Sequence, residues 1–164
     1  MRPRLVPLAE QDYEEFWSLF RATMPDDEDR VVAALGLTRE RYERLPREVG
    51  ELRRISDGGE TAGYAWFEVR ARTLHIHALL LRPAHRGRGL GGRVLRLLIE
   101  THRDDVDSVE LGVEPGNVAA RTLYEHAGFE YAGERLGFLI MRRSLRTTEQ
   151  SRQLESGPST SSRA

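Results

Sequence analysis

Residues 85–98 read HRGRGLGGRVLRLL, with Gly87, Gly89, Gly91 and Gly92 crowded at the start of an apolar helical run. Glycine weakens a helix, so its repeated use at this point needs another reason. A turn that bares several backbone N–H groups at a helix N-terminus is a ready anion site. Arg86 and Arg88 add positive charge to it. A second set of residue types suits proton transfer. His75 and His77, in HIH, stand two apart in a strand-like stretch, and a period of two puts them on one face. An imidazole with a pKa of about 6.5 is a fitting base near neutral pH. Tyr124 is a phenol whose pKa of about 10 keeps it protonated there, so it can donate a proton. Glu68 and Glu114 are competing carboxylate bases.

Several chemistries are excluded. The basic residues are all arginine, so a nucleoside-triphosphate loop of the Gly-Lys-Ser/Thr kind is absent, as is any catalytic lysine. A dinucleotide fold would place its glycine loop after the first strand, with an acid about 20 residues on at a strand end. Here the loop follows the third strand, and Glu110, at about that offset, lies within a strand. With no cysteine there is no disulfide framework, thiolate metal site or cysteine nucleophile, and no metal is expected. A formal net charge of -1 argues against a nucleic-acid binder. No apolar run approaches the roughly 20 residues of a membrane span, and no secretory segment opens the chain, so a cytoplasmic protein with no membrane partner is expected.

The elements that must position these groups follow from periodicity. Tyr13, Phe16, Trp17 and Phe20 recur at helical spacing over 8–24, and Pro25 ends that helix. PDDEDRVVAALGL restarts with acids in its first turn, Gly36 stops it, and Thr38 caps a short successor closed by Pro46. The first third therefore reads as helical. Strands at 51–56 and 61–70 flank the hairpin signal DGGE, and 73–83 is a strand apolar on both faces in its later part. A helix over 90–102, a strand over 107–114, a helix ended by Gly128 and a terminal hairpin complete an α+β order with a mixed sheet. The last residues, 146–164, hold no aromatics and read as a disordered tail.

Two motifs carry a family resemblance. Arg86, Gly89 and Gly91 fit Arg/Gln-x-x-Gly-x-Gly/Ala, and NVAARTLYEHAGF fits Asn-x-x-Ala-x-x-x-Tyr-x-x-x-Gly-Phe at Asn117, Ala120, Tyr124, Gly128 and Phe129. Together, in this order, they resemble the hallmarks of the GNAT superfamily of N-acetyltransferases. The resemblance covers 3–145 and is densest from Gly63 onward. It implies one GNAT-like domain over 1–145, with a mostly antiparallel sheet of six or seven strands flanked by helices.

The resemblance also implies acetyl-CoA as acyl donor. Its pyrophosphate would lie over Arg86, Gly87, Arg88, Gly89, Leu90, Gly91 and Gly92. Its pantetheine arm would enter a splay beside Leu79, Leu80 and Leu81, near Asn117 and Ala120. Tyr124 would protonate the departing thiolate, and the amine would attack the thioester directly in a ternary complex. HIHALLLRPAHRGRG is similar to the matching stretch of the arylalkylamine N-acetyltransferases, where a histidine pair relays a proton through water; His75, His77 or Glu68 would serve here. The acceptor is expected to be a small-molecule amine rather than a protein, and the family's frequent dimers leave a homodimer open. PDDED (25–29) reads either as a lure for a cationic amine or as a solvated helix start. A non-catalytic acyl-CoA-binding sensor is the alternative; it would keep the glycine turn and need neither Tyr124 nor a base.

Overall fold

The DGGE turn shows how directly local sequence sets the frame. Gly58 and Gly59 both adopt positive φ, +64° and +89°, as a tight two-residue hairpin demands. This turn joins β2 (Glu51–Asp57) to β3 (Glu60–Arg70), with Asp57 opposite Glu60. The computed structural model describes residues 2–24 and 28–146. Ahead of β2 come β1 (Arg4–Val6), α1 (Asp12–Arg21), α2 (Glu28–Ala34) and α3 (Arg39–Glu48). After β3 follow β4 (Thr73–Leu81), a single 3₁₀ turn (Pro83–His85), α4 (Leu90–His102), β5 (Ser108–Val113), α5 (Val118–His126), β6 (Glu130–Arg135) and β7 (Phe138–Ser144). The proposed tail beyond Arg146 lies outside the described residues.

All seven strands form one sheet in the order β1-β2-β3-β4-β5-β7-β6. The β4–β5 pair is parallel, and every other neighbouring pair is antiparallel. One face of the sheet packs on α4 and α5, burying Leu74, Ile76, Val94, Leu98, Val109 and Leu111. The other packs on α1 around Phe16, Tyr64, Trp66, Ala78 and Leu80. A hydrogen-bonded knot ties α1 to the sheet: Arg82 donates to both carboxylate oxygens of Glu15 at 2.7 Å, and the Tyr64 hydroxyl donates to Glu15 Oε2 at 2.5 Å.

Four expectations change. The first third is not wholly helical, because β1 pairs with β2 at the sheet edge before α1 begins. Three residues between Pro3 and Pro7 are too short to show a period, and flanking prolines suit an edge strand. The first helix starts at Asp12 rather than residue 8, with the Asp12 carboxylate accepting the Ala9 N–H at 2.7 Å. Thr38 caps α3 as expected, accepting the Arg41 N–H at 3.2 Å, yet Pro46 lies inside the last turn instead of closing the helix before it. The strand expected over 73–83 stops at Leu81, because Pro83 opens the 3₁₀ turn.

A bulge in β4 has the largest consequence. Phe67 pairs with Ile76 and Trp66 with Ala78, so His77 is an extra residue without a register partner. Simple alternation would put residues 75, 77, 79 and 81 on one face. Instead, Ala78 and Leu80 join the aromatic cluster beside α1, while Leu79 and Leu81 turn toward α4.

Candidate active site

Pairing of β4 with β5 stops at Ile76 opposite Leu111. Beyond it, β5 keeps its bonds to β7 through Val113, and Leu79, Leu80 and Leu81 keep theirs to Ala65, Tyr64 and Gly63 on β3. The two parallel strands thus separate just where the bulge bends β4, and one backbone edge of 79–81 has no strand partner. The close approach of β3 on the other edge is strict: a Cβ on Gly63 would lie 1.9 Å from Leu80 O.

A cavity of about 520 Å³ opens into this separation. Glu68, His75, His77, Leu79, Leu80, Asn117, Ala120 and Tyr124, all singled out by sequence, line it, as does Glu114. Leu81 and the 86–92 turn lie outside its wall.

His75 and His77 do share a face: His75 stands in register opposite Glu68, and His77 approaches the carboxylate of the same residue. His77 Nε2 lies 3.2 Å from Glu68 Oε1, and its ring packs 4.7 Å from that of Trp66. A carboxylate can only accept, so Nε2 carries the proton and Nδ1 of the neutral ring keeps its lone pair. Burial pushes both histidines below the usual imidazole value, outweighing the pull of the Glu68 carboxylate.

Glu110, which the sequence places inside a strand and so outside a dinucleotide pattern, has a setting of its own in the structure. It stands in register opposite His75 on β4 and Arg142 on β7, and it is only 5% exposed. His75 Nδ1 lies 3.7 Å from Oε1, Arg135 Nη2 lies 3.6 Å from the same oxygen, and Arg142 Nε donates to Oε2 at 3.2 Å. Burial works to raise this carboxyl; the Arg142 hydrogen bond and the charges of Arg142, His75 and Arg135 outweigh it and hold it low. Two histidine–carboxylate pairs therefore share one cavity wall. The legible signal was an acid inside an apolar strand, VELGV, at an inward position.

Tyr124 is 8% exposed, and its ring packs 5.9 Å from that of Phe129. Burial alone pushes its phenol up to about 12. Among the described residues nothing hydrogen-bonds its hydroxyl, and the residue lines the cavity. Asn117 caps α5, its Oδ1 accepting the Ala120 N–H at 3.1 Å, so these two motif residues set the pitch of the helix that carries Tyr124.

The glycines of the turn divide into two kinds. Gly87 and Gly89 have φ of +72° and +73°, and a Cβ on either would meet nothing within 4 Å. Space above them is open, and no side chain caps α4 at Gly89. Among the described residues no side chain caps its first N–H groups, which lie beside the exposed Arg86 and Arg88, a setting that fits a pyrophosphate. Arg86 Nε donates to Leu81 O at 2.9 Å, which fastens the turn to the end of β4. Gly91 and Gly92 serve packing instead: a Cβ there would come within 3.3 Å and 3.4 Å of the Leu123 methyls on α5. Their missing Cβ atoms allow close approach of two helices, while their N–H groups belong to the first turn of α4.

A mixed sheet whose single parallel pair separates over a cavity, with an arginine-flanked glycine turn opening the helix that follows β4, defines the α+β class of this chain. Residues 9–129 match the Acetyltransferase (GNAT) family, and the chain belongs to it. It is 39% identical over 82 residues to the N-alpha-acetyltransferase RimI of Mycobacterium tuberculosis, covering 48% of this chain and 51% of that protein. It is 42% identical over 79 residues to the mycothiol acetyltransferase of Beutenbergia cavernae, covering 46% of this chain and 27% of that protein. The chain thus spans about half the length of the first of these relatives and less of the second. Among solved structures, the PaiA N-acetyltransferase of Thermoplasma acidophilum in complex with coenzyme A aligns with a TM-score of 0.60 at 14% identity, over 88% of this chain and 99% of that one, a likeness of fold. No helix among the described residues is long and apolar enough to cross a membrane, and no group of three or more His, Asp or Glu there could hold a metal.

Proposed function

We propose that this chain is an acetyl-CoA-dependent N-acetyltransferase acting on a small-molecule amine by direct attack in a ternary complex. One observation carries the reading: β4 parts from β5 beyond Ile76, leaving one edge of 79–81 without a strand partner over a cavity that Tyr124, His75 and His77 line. Acetyl-CoA, when bound, supplies an acetyl thioester. The residues of the chain position it and move protons. Arg86, Arg88 and the amides at Gly87, Gly89 and Leu90 receive the pyrophosphate charge. The open edge of Leu79, Leu80 and Leu81 binds an amide-bearing arm as a sheet binds an added strand.

An alkyl amine is only about 0.1% neutral at pH 7.4, so a base is needed. His77, whose Nδ1 is free to accept, and His75 beside Glu110 take that proton directly or through water, with Glu68 orienting His77. Tyr124 keeps its own proton and offers it to the released thiolate. Calorimetric titration with acetyl-CoA, followed by thiol release on adding amines, tests the reading. Saturable one-to-one binding that is lost in Gly89→Trp supports it. Binding without thiol release from any amine favours an acyl-CoA sensor, and no binding overturns both.

A further inference from the structure

The cavity is chemically divided. Its charged lining among the described residues, Glu68, Arg70, Glu110, Glu114 and Arg135, comes from the strands or their ends. The part walled by the helices presents Phe20, Met24, Val31, Leu35 and Leu45, with Trp66 at the join. Trp66 connects the two ends directly: its ring lies 4.7 Å from His77 and 6.3 Å from Phe20. Two side-chain polar groups of the helical end are already engaged. Trp66 Nε1 donates to Val49 O at 2.7 Å and Thr23 Oγ1 donates to Phe20 O at 2.7 Å. The Tyr42 hydroxyl is buried and has no hydrogen-bond partner among the described residues, with Tyr42 packed 5.5 Å from the Trp17 ring.

Resting on the acetyltransferase reading, we propose that this helix-walled chamber is the acceptor subsite and that it takes the uncharged, apolar body of a primary monoamine, whose amino group lies at His77. Among the described wall residues a second ammonium in the chamber would be buried without a counter-charge, and a polyhydroxylated acceptor would find only the buried Tyr42 hydroxyl unengaged. Polyamines, aminosugars and amino acids with charged side chains are thereby disfavoured, and chain length is rewarded.

The test uses the full chain, saturating acetyl-CoA, thiol release as readout, and a series of linear amines from propylamine to hexylamine. Each added methylene raises kcat/KM about fourfold while the chamber fills. 1,5-Diaminopentane, nearly isosteric with hexylamine, is disfavoured by about 100-fold or more because only its far end differs. Val31→Glu, which puts a carboxylate in the chamber wall, narrows that ratio at least tenfold, with acetyl-CoA binding unchanged by calorimetry. The wild-type comparison needs no variant to fold. If acetyl-CoA binds but hexylamine is not acetylated, or the diamine or a peptide N-terminus is preferred to it, the inference falls and the acetyltransferase reading does not depend on it. If acetyl-CoA fails to bind, both fall.

Discussion

Replacing Tyr124 by phenylalanine removes one oxygen and leaves the packing of the ring unchanged. Burial holds the phenol at about 12. A thiol titrates at about 8.5, so complete proton transfer to a solvated thiolate would be uphill by roughly 3.5 units, or about 5 kcal/mol. The hydroxyl therefore acts chiefly as a hydrogen bond to developing charge, a contact worth about 1.5–3 kcal/mol. The expected fall in kcat is about 10- to 150-fold. Because no described residue bonds the hydroxyl, folding stability is unchanged or slightly raised. Steady-state thiol release, acetyl-CoA titration and thermal melting on the same preparations separate the effects. A core tyrosine without catalytic work would leave kcat unaltered, and that result would refute the assignment. In the wild type, ionisation of Tyr124 produces no alkaline fall in rate below about pH 10, given its raised value.

His75 and His77 are both held below the ordinary imidazole value, so the acidic limb of kcat/KM lies below about pH 6.5, and His77→Ala removes or displaces it. The same shifts govern stability. A lowered folded value means the neutral ring is favoured in the fold, so the contribution is complete above about pH 6.5 and is lost as pH falls through the folded values; melting temperature drops from pH 7 to 5, less steeply in the His75→Gln, His77→Gln double variant. Glu110→Gln removes a charge that draws His75 upward, leaving burial and the Arg70 and Arg135 charges to act, so the limb moves to lower pH if His75 is the base and stays put if it is not. Gly91→Val drives a side chain into Leu123 and destabilises the α4–α5 contact by about 1–3 kcal/mol in denaturant unfolding, whereas Gly87→Ala meets only open space and costs about 1–2 kcal/mol through its positive φ.

The glycine turn, the DGGE hairpin, the Thr38 and Asn117 caps and the α4 face were legible because each is decided within a few residues of itself. Tyr124 was found through motif spacing, since one helical turn after another fixes which residues share a face with Asn117. The setting of Glu110 was not legible because it depends on His75 and Arg142, which are distant in sequence and meet it only across two strand pairings. Gly87, Gly89, Gly91 and Gly92 look alike in sequence; only the position of Leu123 on another helix shows that a side chain at 91 or 92 would meet a packed neighbour while one at 87 or 89 would not.

By itself, then, the sequence determined an α+β order of elements, a glycine turn opening a helix, and the residue types for proton transfer, since backbone propensity, capping and periodicity act locally. The tertiary structure decided the edge strand β1, the bulge at His77, the parting of β4 from β5 and the division of the cavity into charged and apolar ends. Each of these is a cross-strand or helix-to-sheet event. A one-residue change of register reverses every side chain beyond it, and the whole sheet, rather than any local stretch, selects which register is satisfied.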